Sequence, residues 1–349
     1  MREIMRLLGS FCWLLTTTFI ASAAFAQAPT TTLLVLAKSD NTVAVVDPAT
    51  LQVLARIPAG PDPHEIIASD DGKLAYISNY GGSDSTLNTI SVVNLVARKP
   101  LPAIDLGALR STHGLAFAGG KLYFTAETNK VIGRYDPATQ RVDWVLGTGQ
   151  DRTHMIAVSK SLDRIVTSNV NSATISIIEQ ASPPSRGFNP PGGPRLTWEV
   201  TNIPAGRGAE GFDISPDGKE IWAANAHDAT VTVIDAATRK ATETFPIPVK
   251  GANRLKFTPD GKRVLISGLG ARQGDSSLVV IDAATHKEVK QLNLGGGAAG
   301  ILMAPDGSRA YVAVSSADKI AVVDLKTLEV TGQIDAGKQP DGLAWAVRK

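Results

Sequence analysis

Residues 216–235 read PDGKEIWAANAHDATVTVID, and they contain the pattern that decides the fold. The first four residues form a tight-turn sequence, because Pro presets φ, Asp bonds its own backbone and Gly tolerates a positive φ. Residues 230–234 alternate Thr with Val or Ile, which predicts a strand of about five residues. A second turn follows at Asp235-Ala236-Ala237-Thr238. Short strands joined by tight turns are typical of all-β proteins.

The same two turns recur along the chain. The Asp-Gly turn occupies residues 69–73, 215–219, 258–262 and 304–308, and the Asp-x-x-Thr turn occupies residues 47–50, 136–139, 235–238, 282–285 and 324–327. No window between them shows a sustained apolar period of 3.6 residues, so helices should be scarce. Each unit then holds four antiparallel strands in roughly 40 to 50 residues, which is the pattern of a propeller blade.

Alignment of the first strands predicts seven equivalent positions: His64, His113, His154, Glu210, Asn253, Ala299 and Asp341. Seven positions predict seven blades. The chain enters its first unit at residue 33 without a first strand and finishes at residues 342–347 with a first strand and nothing after it. The C-terminal strand is therefore expected to complete the N-terminal blade, which removes an exposed sheet edge. The sequence predicts an all-β, seven-bladed β-propeller with four antiparallel strands per blade.

The N-terminus has the pattern of a cleavable signal peptide. Arg2 and Arg6 precede an apolar stretch that is short for a membrane span, and Ala24-Phe25-Ala26 forms an A-x-A cleavage pattern. We therefore predict a signal peptide at 1–26 and a single propeller domain at 27–349, located in a periplasm or outside the cell. The mature chain is expected to have no membrane span and, once Cys12 is removed, no cysteine.

The amino-acid composition excludes several classes of protein. Among 349 residues, 35 Lys and Arg against 33 Asp and Glu give a formal net charge of +2, which excludes the electrostatic footprint of a nucleic-acid-binding protein. The hydrophobic content of 43% excludes a disordered chain. The single cysteine excludes a disulfide framework. No phosphate-binding loop or nicotinamide fingerprint is present. A small molecule is the expected ligand, and the sequence does not indicate a protein partner.

The repeated units resemble a known family. Pro216-Asp217-Gly218-Lys219, followed by Ala223-Ala224-Asn225 and residues 230–235, is similar to the YVTN repeat of YncE-like β-propellers. Residues 122–126 and 130–134 also resemble repeats of the streptogramin-lyase type, and a weaker likeness to propeller lactonases is confined to His154. The resemblance implies the propeller fold. It leaves function open, because relatives include lactonases, lyases, binding proteins and scaffolds.

Propeller topology brings the seven positions to one mouth of the central channel, where propellers usually bind ligands. One hypothesis is a divalent metal site, for example for zinc, because neutral imidazoles and carboxylates are suitable ligands. Its proposed ligands are His64, His113, His154, Glu210 and Asp341. The alternative is that these histidines stabilise the fold by bonding neighbouring blades.

A third hypothesis is catalysis without a metal. Like propeller lactonases, the chain has His, Glu and Arg at the channel, and we predict His154, Glu210 and Arg254 as catalytic residues that move a proton or stabilise an oxyanion. Loops on the same face supply further polar side chains, among them Glu127. The predicted ligand-binding residues are Tyr80, Asn169, His227, Asn253 and Arg272.

Two functions remain open from the sequence. The first is a small-molecule site, with or without a metal, that hydrolyses or eliminates a lactone or ester. The second is a non-catalytic binding or scaffolding propeller of the cell envelope. The Pro- and Gly-rich residues 181–195 are expected to form an inserted loop between the third and fourth strands of one blade.

Overall fold

The structure, a computed structural model, describes residues 30–81, 86–181, 197–272 and 274–349. The predicted signal peptide and residues 182–195 of the inserted loop lie outside the described residues. The described chain is built from strands and one 3-10 helix, Ser315–Ala317. It contains no helix long and apolar enough to cross a membrane.

The strands follow the chain order β1 (Thr31–Ala37), β2 (Thr42–Val46), β3 (Val53–Pro58), β4 (Pro63–Ala68), β5 (Leu74–Asn79), β6 (Thr89–Asn94), β7 (Lys99–Asp105), β8 (Thr112–Ala118), β9 (Lys121–Ala126), β10 (Val131–Asp136), β11 (Arg141–Gly147), β12 (Thr153–Val158), β13 (Arg164–Asn169), β14 (Thr174–Ala181), β15 (Thr197–Pro204), β16 (Ala209–Ile214), β17 (Glu220–Asn225), β18 (Thr230–Asp235), β19 (Lys240–Pro246), β20 (Ala252–Phe257), β21 (Arg263–Gly268), β22 (Leu278–Asp282), β23 (Glu288–Leu292), β24 (Ile301–Met303), β25 (Arg309–Val314), β26 (Lys319–Asp324), β27 (Glu329–Ile334) and β28 (Pro340–Val347).

These strands form seven four-stranded antiparallel sheets. Blades 1 to 6 are β4–β7, β8–β11, β12–β15, β16–β19, β20–β23 and β24–β27, and the closing blade has the order β28-β1-β2-β3. The first strand of each blade contacts the first strands of both neighbours, so these seven strands surround the central channel. The predicted seven-bladed propeller is confirmed.

The chain ends close the ring as the sequence predicted. β28 pairs with β1 in antiparallel register, with Leu33 opposite Trp345 and Val35 opposite Leu343. The first strand of the closing blade thus comes from the C-terminus, while its other three strands come from the N-terminus.

The hydrophobic core lies between adjacent blades. Along β1, Leu34 packs into a cluster with Ile77 of blade 1, whereas Leu33 packs into a cluster with Tyr311 of blade 6. Successive side chains of a strand point to opposite faces, and both faces of this blade are covered. That arrangement explains why residues 33–37 are apolar throughout rather than alternating. Trp222 packs in the same way, its ring centroid 5.4 Å from that of Phe257 in the next blade.

Candidate functional site

A β-bulge near the start of the first strand places side chains at the channel in blades 1 to 5. The register between first and second strand shifts after Pro63, Thr112, Thr153, Ala209 and Ala252. In each case the residue that follows is a predicted channel residue. Since a bulge redirects the side chains of its extra residues, the repeated bulge explains why one position in each of these five blades reaches the channel.

Hydroxyl groups on the second strands hold these bulges in place. Thr125 Oγ1 accepts a hydrogen bond from the N–H of Gly114 at 2.9 Å and donates one to the carbonyl oxygen of His154, in the next blade, at 2.8 Å. The same bridge recurs in blades 3 and 5, where Ser168 joins Met155 to Glu210 and Ser267 joins Arg254 to Ala299. Each hydroxyl therefore fixes the channel residue of the neighbouring blade through its backbone.

The channel mouth holds a cavity of about 350 Å³. Its lining consists of Lys38, His64, Tyr80, His113, Arg152, His154, Glu210, Asn253, Arg254, Leu269, Ala299, Ser315, Gln339 and Asp341. All seven aligned positions are present, together with the predicted residues Tyr80 and Arg254. The structure thus brings together side chains that are far apart in sequence.

Three predicted ligand-binding residues lie outside this cavity. The side-chain amide of Asn169 donates to the hydroxyls of Thr174 and Ser176 in its own blade, at 3.0 and 2.8 Å. It follows the bridging Ser168 directly, so strand alternation turns it away from the neighbouring blade. His227 and Arg272 are exposed on loops beyond the lining residues.

A buried charged cluster lies under the cavity. Nδ1 of His154 contacts Oε1 of Glu127, and the Tyr80 hydroxyl donates to Oε2 of Glu127 at 2.6 Å. On the other side of the ring, Nε2 of His154 lies 3.0 Å from Oε1 of Glu210. The guanidinium of Arg152 spans the two carboxylates, 3.5 Å from Glu127 and 3.6 Å from Glu210.

This cluster fixes the charge of its members. Burial disfavours the imidazolium of His154, but the carboxylates of Glu210 and Glu127 outweigh burial and raise its pKa. Burial likewise acts to raise the pKa of Glu210, but His154 and Arg152 hold that pKa well below its usual range. His154 is therefore a cation between two carboxylates at neutral pH. Because only 1% of it is exposed and Nε2 is sealed from solvent, a ligand reaches Glu210 and not His154.

His113 lines the cavity and has incomplete hydrogen bonding. Its ring centroid lies 3.6 Å from that of His154, and its Nδ1 is buried without a hydrogen-bond partner. Burial and the neighbouring His154 lower the pKa of His113 well below 6.5, so the imidazole is neutral. With Nδ1 sealed, Nε2 is the nitrogen through which His113 can meet a ligand.

Both ring nitrogens of His64 already have hydrogen-bond partners. Lys38 Nζ donates to Nε2 of His64 at 2.8 Å and lies 3.3 Å from the carboxylate of Asp341. Nδ1 of His64 donates to the carbonyl oxygen of Asp62 at 3.2 Å. Burial lowers the pKa of His64, and only a neutral imidazole can accept the hydrogen bond from Lys38.

Arg254 closes the channel beneath the cavity. Its guanidinium donates to Oε1 of Glu65 at 2.6 Å, across the channel from blade 5 to blade 1. Its other terminal nitrogen donates to the backbone and side-chain oxygens of Asn253 at 3.3 Å. Glu65 raises the pKa of Arg254 further against the effect of burial, so the charge is permanent. Arg254 therefore has a structural partner, which the catalytic prediction did not foresee.

The lining residues do not fit a metal site. In residues 30–81, 86–181, 197–272 and 274–349, no three His, Cys, Asp or Glu side chains are arranged to hold an ion. The imidazoles explain this, because a metal ligand needs a free nitrogen lone pair. His64 accepts from Lys38 through Nε2, and both nitrogens of His154 face carboxylates.

Sequence reasoning missed Arg152, Lys38 and Gln339 in the lining, and it did not foresee that Glu127 is buried. Arg152 and Gln339 each stand two residues before a channel residue, and both have a positive φ, of 57° and 50°. The same position is left-handed in four other blades, at Asp62, Ser111, Gly208 and Gly251. The position two residues before each channel residue could therefore have been predicted from the spacing as a second set of residues near the cavity.

Comparisons with known proteins agree on the fold. A protein of unknown function from Desulfotomaculum acetoxidans DSM 771 superposes with a TM-score of 0.70 at 13% identity, over 88% of this chain and 98% of that one. The "putative 6-phosphogluconolactonase" of Bacteroides uniformis ATCC 8492 gives 0.69 at 15% identity, over 90% and 99%. Hydrazine synthase of Kuenenia stuttgartiensis gives 0.64 at 18% identity, over 81% and 89%.

At these identities the solved structures show a shared fold and nothing further. A search of curated proteins gives no match. A family model does match part of the sequence, from the fourth strand of blade 3 to the start of blade 6. Residues 197–304 match the family described as YNCE-like beta-propeller, within a chain that forms seven blades throughout.

Proposed function

We propose that this protein is an exported propeller that binds a small molecule with a carboxylate or ester carbonyl group at its channel mouth. The observation that carries the proposal is the state of the His113 imidazole. It is a neutral imidazole, 3% exposed, that lines the cavity and has no hydrogen-bond partner at Nδ1. Because Nδ1 is sealed, a ligand would meet Nε2, and a net hydrogen bond at that nitrogen contributes roughly 0.5 to 1.5 kcal/mol.

The charges around His113 favour an oxygen-rich ligand group. Arg152 and Lys38 line the cavity with side chains 31% and 27% exposed, so part of each cation is accessible to a ligand. A guanidinium next to an imidazole donor suits a carboxylate or a polarised carbonyl. Glu210 and Asp341 are less exposed, at 12% and 10%. The accessible cationic surface therefore exceeds the accessible anionic surface.

The pKa shifts favour binding over rapid turnover. A general base works best when its pKa lies near the working pH. The pKa of His113 and that of Glu210 are both lowered, so each is a weak base at neutral pH. Hydrolysis of a lactone by activated water needs such a base. We therefore place non-catalytic binding first and lactone or ester hydrolysis second.

The test is calorimetric titration of the purified chain with acetate and with γ-butyrolactone, beside pH-stat measurement of lactone hydrolysis. We expect acetate to bind and His113→Phe, which keeps a ring in place, to weaken binding at least tenfold. His227→Phe, on the same face outside the cavity, is the matched control and should bind as the wild type does. Equal binding by His113→Phe and wild type, or binding by neither, would overturn the proposal.

Export is part of the proposal and is supported by residues 1–26 alone. The test is expression of the full sequence in a bacterium, followed by mass measurement of the periplasmic or secreted product. We expect a mature chain that begins at Gln27. Retention of the uncleaved chain in the cytoplasm would contradict export and leave the binding proposal standing.

A further inference from the structure

We infer that the ligand is amphipathic, with an aliphatic portion that lies against Leu269 and Ala299 while its polar group meets His113. This inference rests on the proposed function and specifies its ligand class: an aliphatic monocarboxylate or an alkyl-substituted lactone. Leu269 is 46% exposed, yet it lines a cavity whose other lining residues, apart from Ala299, are polar. Ala299 is the one aligned channel position without a polar side chain.

The apolar and polar surfaces face each other across the channel. His113 belongs to blade 2, Leu269 follows the second strand of blade 5, and Ala299 precedes the first strand of blade 6. In a ring of seven blades, the two blades opposite blade 2 are blades 5 and 6. A molecule that bonds His113 and extends across the cavity therefore reaches Leu269 and Ala299.

Glycines hold Leu269 at this place. Its N–H donates to the carbonyl oxygen of Gly251 at 2.9 Å. A Cβ on Gly297, from blade 6, would lie 2.2 Å from the carbonyl oxygen of Leu269. Only glycine permits that approach of the two loops, so the backbone of Leu269 is fixed from both sides. An exposed leucine on a packed backbone is a preformed apolar contact for a ligand.

The cavity size agrees with a small amphipathic ligand. A volume of about 350 Å³ is at the lower end of the range for small-molecule pockets. Burial of each methylene group of a ligand increases affinity by about fourfold. An aliphatic chain should therefore gain affinity with length until it passes Leu269.

The experiment is calorimetry with straight-chain carboxylates from acetate to octanoate at neutral pH. We expect affinity to rise by about fourfold per methylene in the wild type. Leu269→Ser should reduce this increment to less than twofold, with a smaller effect on the affinity for acetate than on that for octanoate. Val145→Ser is the matched control, because Val145 is equally exposed, at 45%, on the fourth strand of blade 2.

The outcomes separate the two proposals. Acetate binding without any dependence on chain length would overturn the amphipathic ligand and leave the binding function intact. So would a dependence on chain length that is the same in Leu269→Ser and wild type. Failure of all the carboxylates to bind would instead overturn the proposed function.

Discussion

At the scale of single residues, Glu127 joins the cavity to the core. It contacts His154, accepts from the Tyr80 hydroxyl and lies 3.5 Å from Arg152, although only 3% of its side chain is exposed. A buried carboxylate is tolerated only when such partners surround it. Glu127 also keeps His154 charged, and the charged His154 in turn helps to keep His113 neutral. The state of the proposed ligand contact thus depends on a carboxylate that no ligand touches.

Glu127→Gln should destabilise the protein by about 3 kcal/mol, because it leaves part of a buried charge cluster unpaired. The loss should be largest below pH 6.5, the ordinary pKa of His154, and should shrink as pH rises through the raised pKa of the folded protein. The sign follows because a raised pKa stabilises the folded state only while the imidazole is protonated. Denaturant unfolding between about pH 5 and about pH 9 measures the difference.

The chain offers a matched pair as control for that substitution. Nδ1 of His286 also lies 2.7 Å from a carboxylate oxygen, Oε2 of Glu243, but on the surface, where half of the Glu243 side chain is exposed. Glu243→Gln should cost less than about 1 kcal/mol. Equal losses for the two substitutions would show that the buried cluster adds no stability of its own.

At the scale of elements, the strand pattern was predictable and the ion pairs were not. Turn sequences and β-branched runs fixed the strands, and their spacing located the channel positions, because both depend on neighbours in the chain. The contact of Arg254 with Glu65 joins residues 189 positions apart, from opposite blades. That pairing depends on the width of the channel and on which side chain is long enough to cross it. No local pattern carries this information, so Arg254 appeared free to act on a ligand.

The close packing of inner strands gives a prediction at the same scale. A Cβ on Gly114 would lie 2.4 Å from the carbonyl oxygen of His154 and 2.9 Å from the N–H nitrogen of Ile156, both backbone atoms of the next blade. Gly114→Ala should therefore destabilise the protein by about 2 kcal/mol, since backbone cannot move aside. It should also weaken acetate binding, because His113 adjoins the displaced bulge.

Gly147→Ala is the control for this substitution. Gly147 ends β11 in the same blade, and a Cβ there would meet no atom within 4 Å. Its effect on the free energy of unfolding should stay within about 0.5 kcal/mol. Thermal unfolding measures both variants, and a Gly114→Ala protein as stable as Gly147→Ala would contradict the packing that we describe.

At the scale of the whole molecule, the two chain ends determine whether the channel exists. Lys38 follows β1 and Asp341 lies in β28, so the pair that engages His64 forms only when these strands meet. The same pairing completes the ring of seven first strands. Closure of the ring and assembly of the cavity are therefore one event, and a molecule with an open ring would lack a full binding site.

A disulfide between Thr31→Cys and Val347→Cys should lock this closure. The two residues are directly opposite each other in the β1–β28 register, and directly opposite residues on antiparallel strands are close enough for a disulfide. The bond closes a loop of nearly the whole described chain, for which chain entropy gives a stabilisation of about 6 kcal/mol. A control bond between Ala181→Cys and Thr197→Cys, which also face each other, closes only the inserted loop and should add about 3 kcal/mol. Denaturant unfolding of the oxidised and reduced forms, with Cys12 removed, measures the stabilisation by each bond.

Two outcomes are consistent with closure by the terminal strands. If these strands separate only when the whole propeller unfolds, the first bond should stabilise the protein more than the second. If they separate earlier, the oxidised protein should retain acetate binding at denaturant concentrations where the reduced protein has lost it. Equal unfolding and equal binding for the oxidised and reduced forms would contradict closure by these strands.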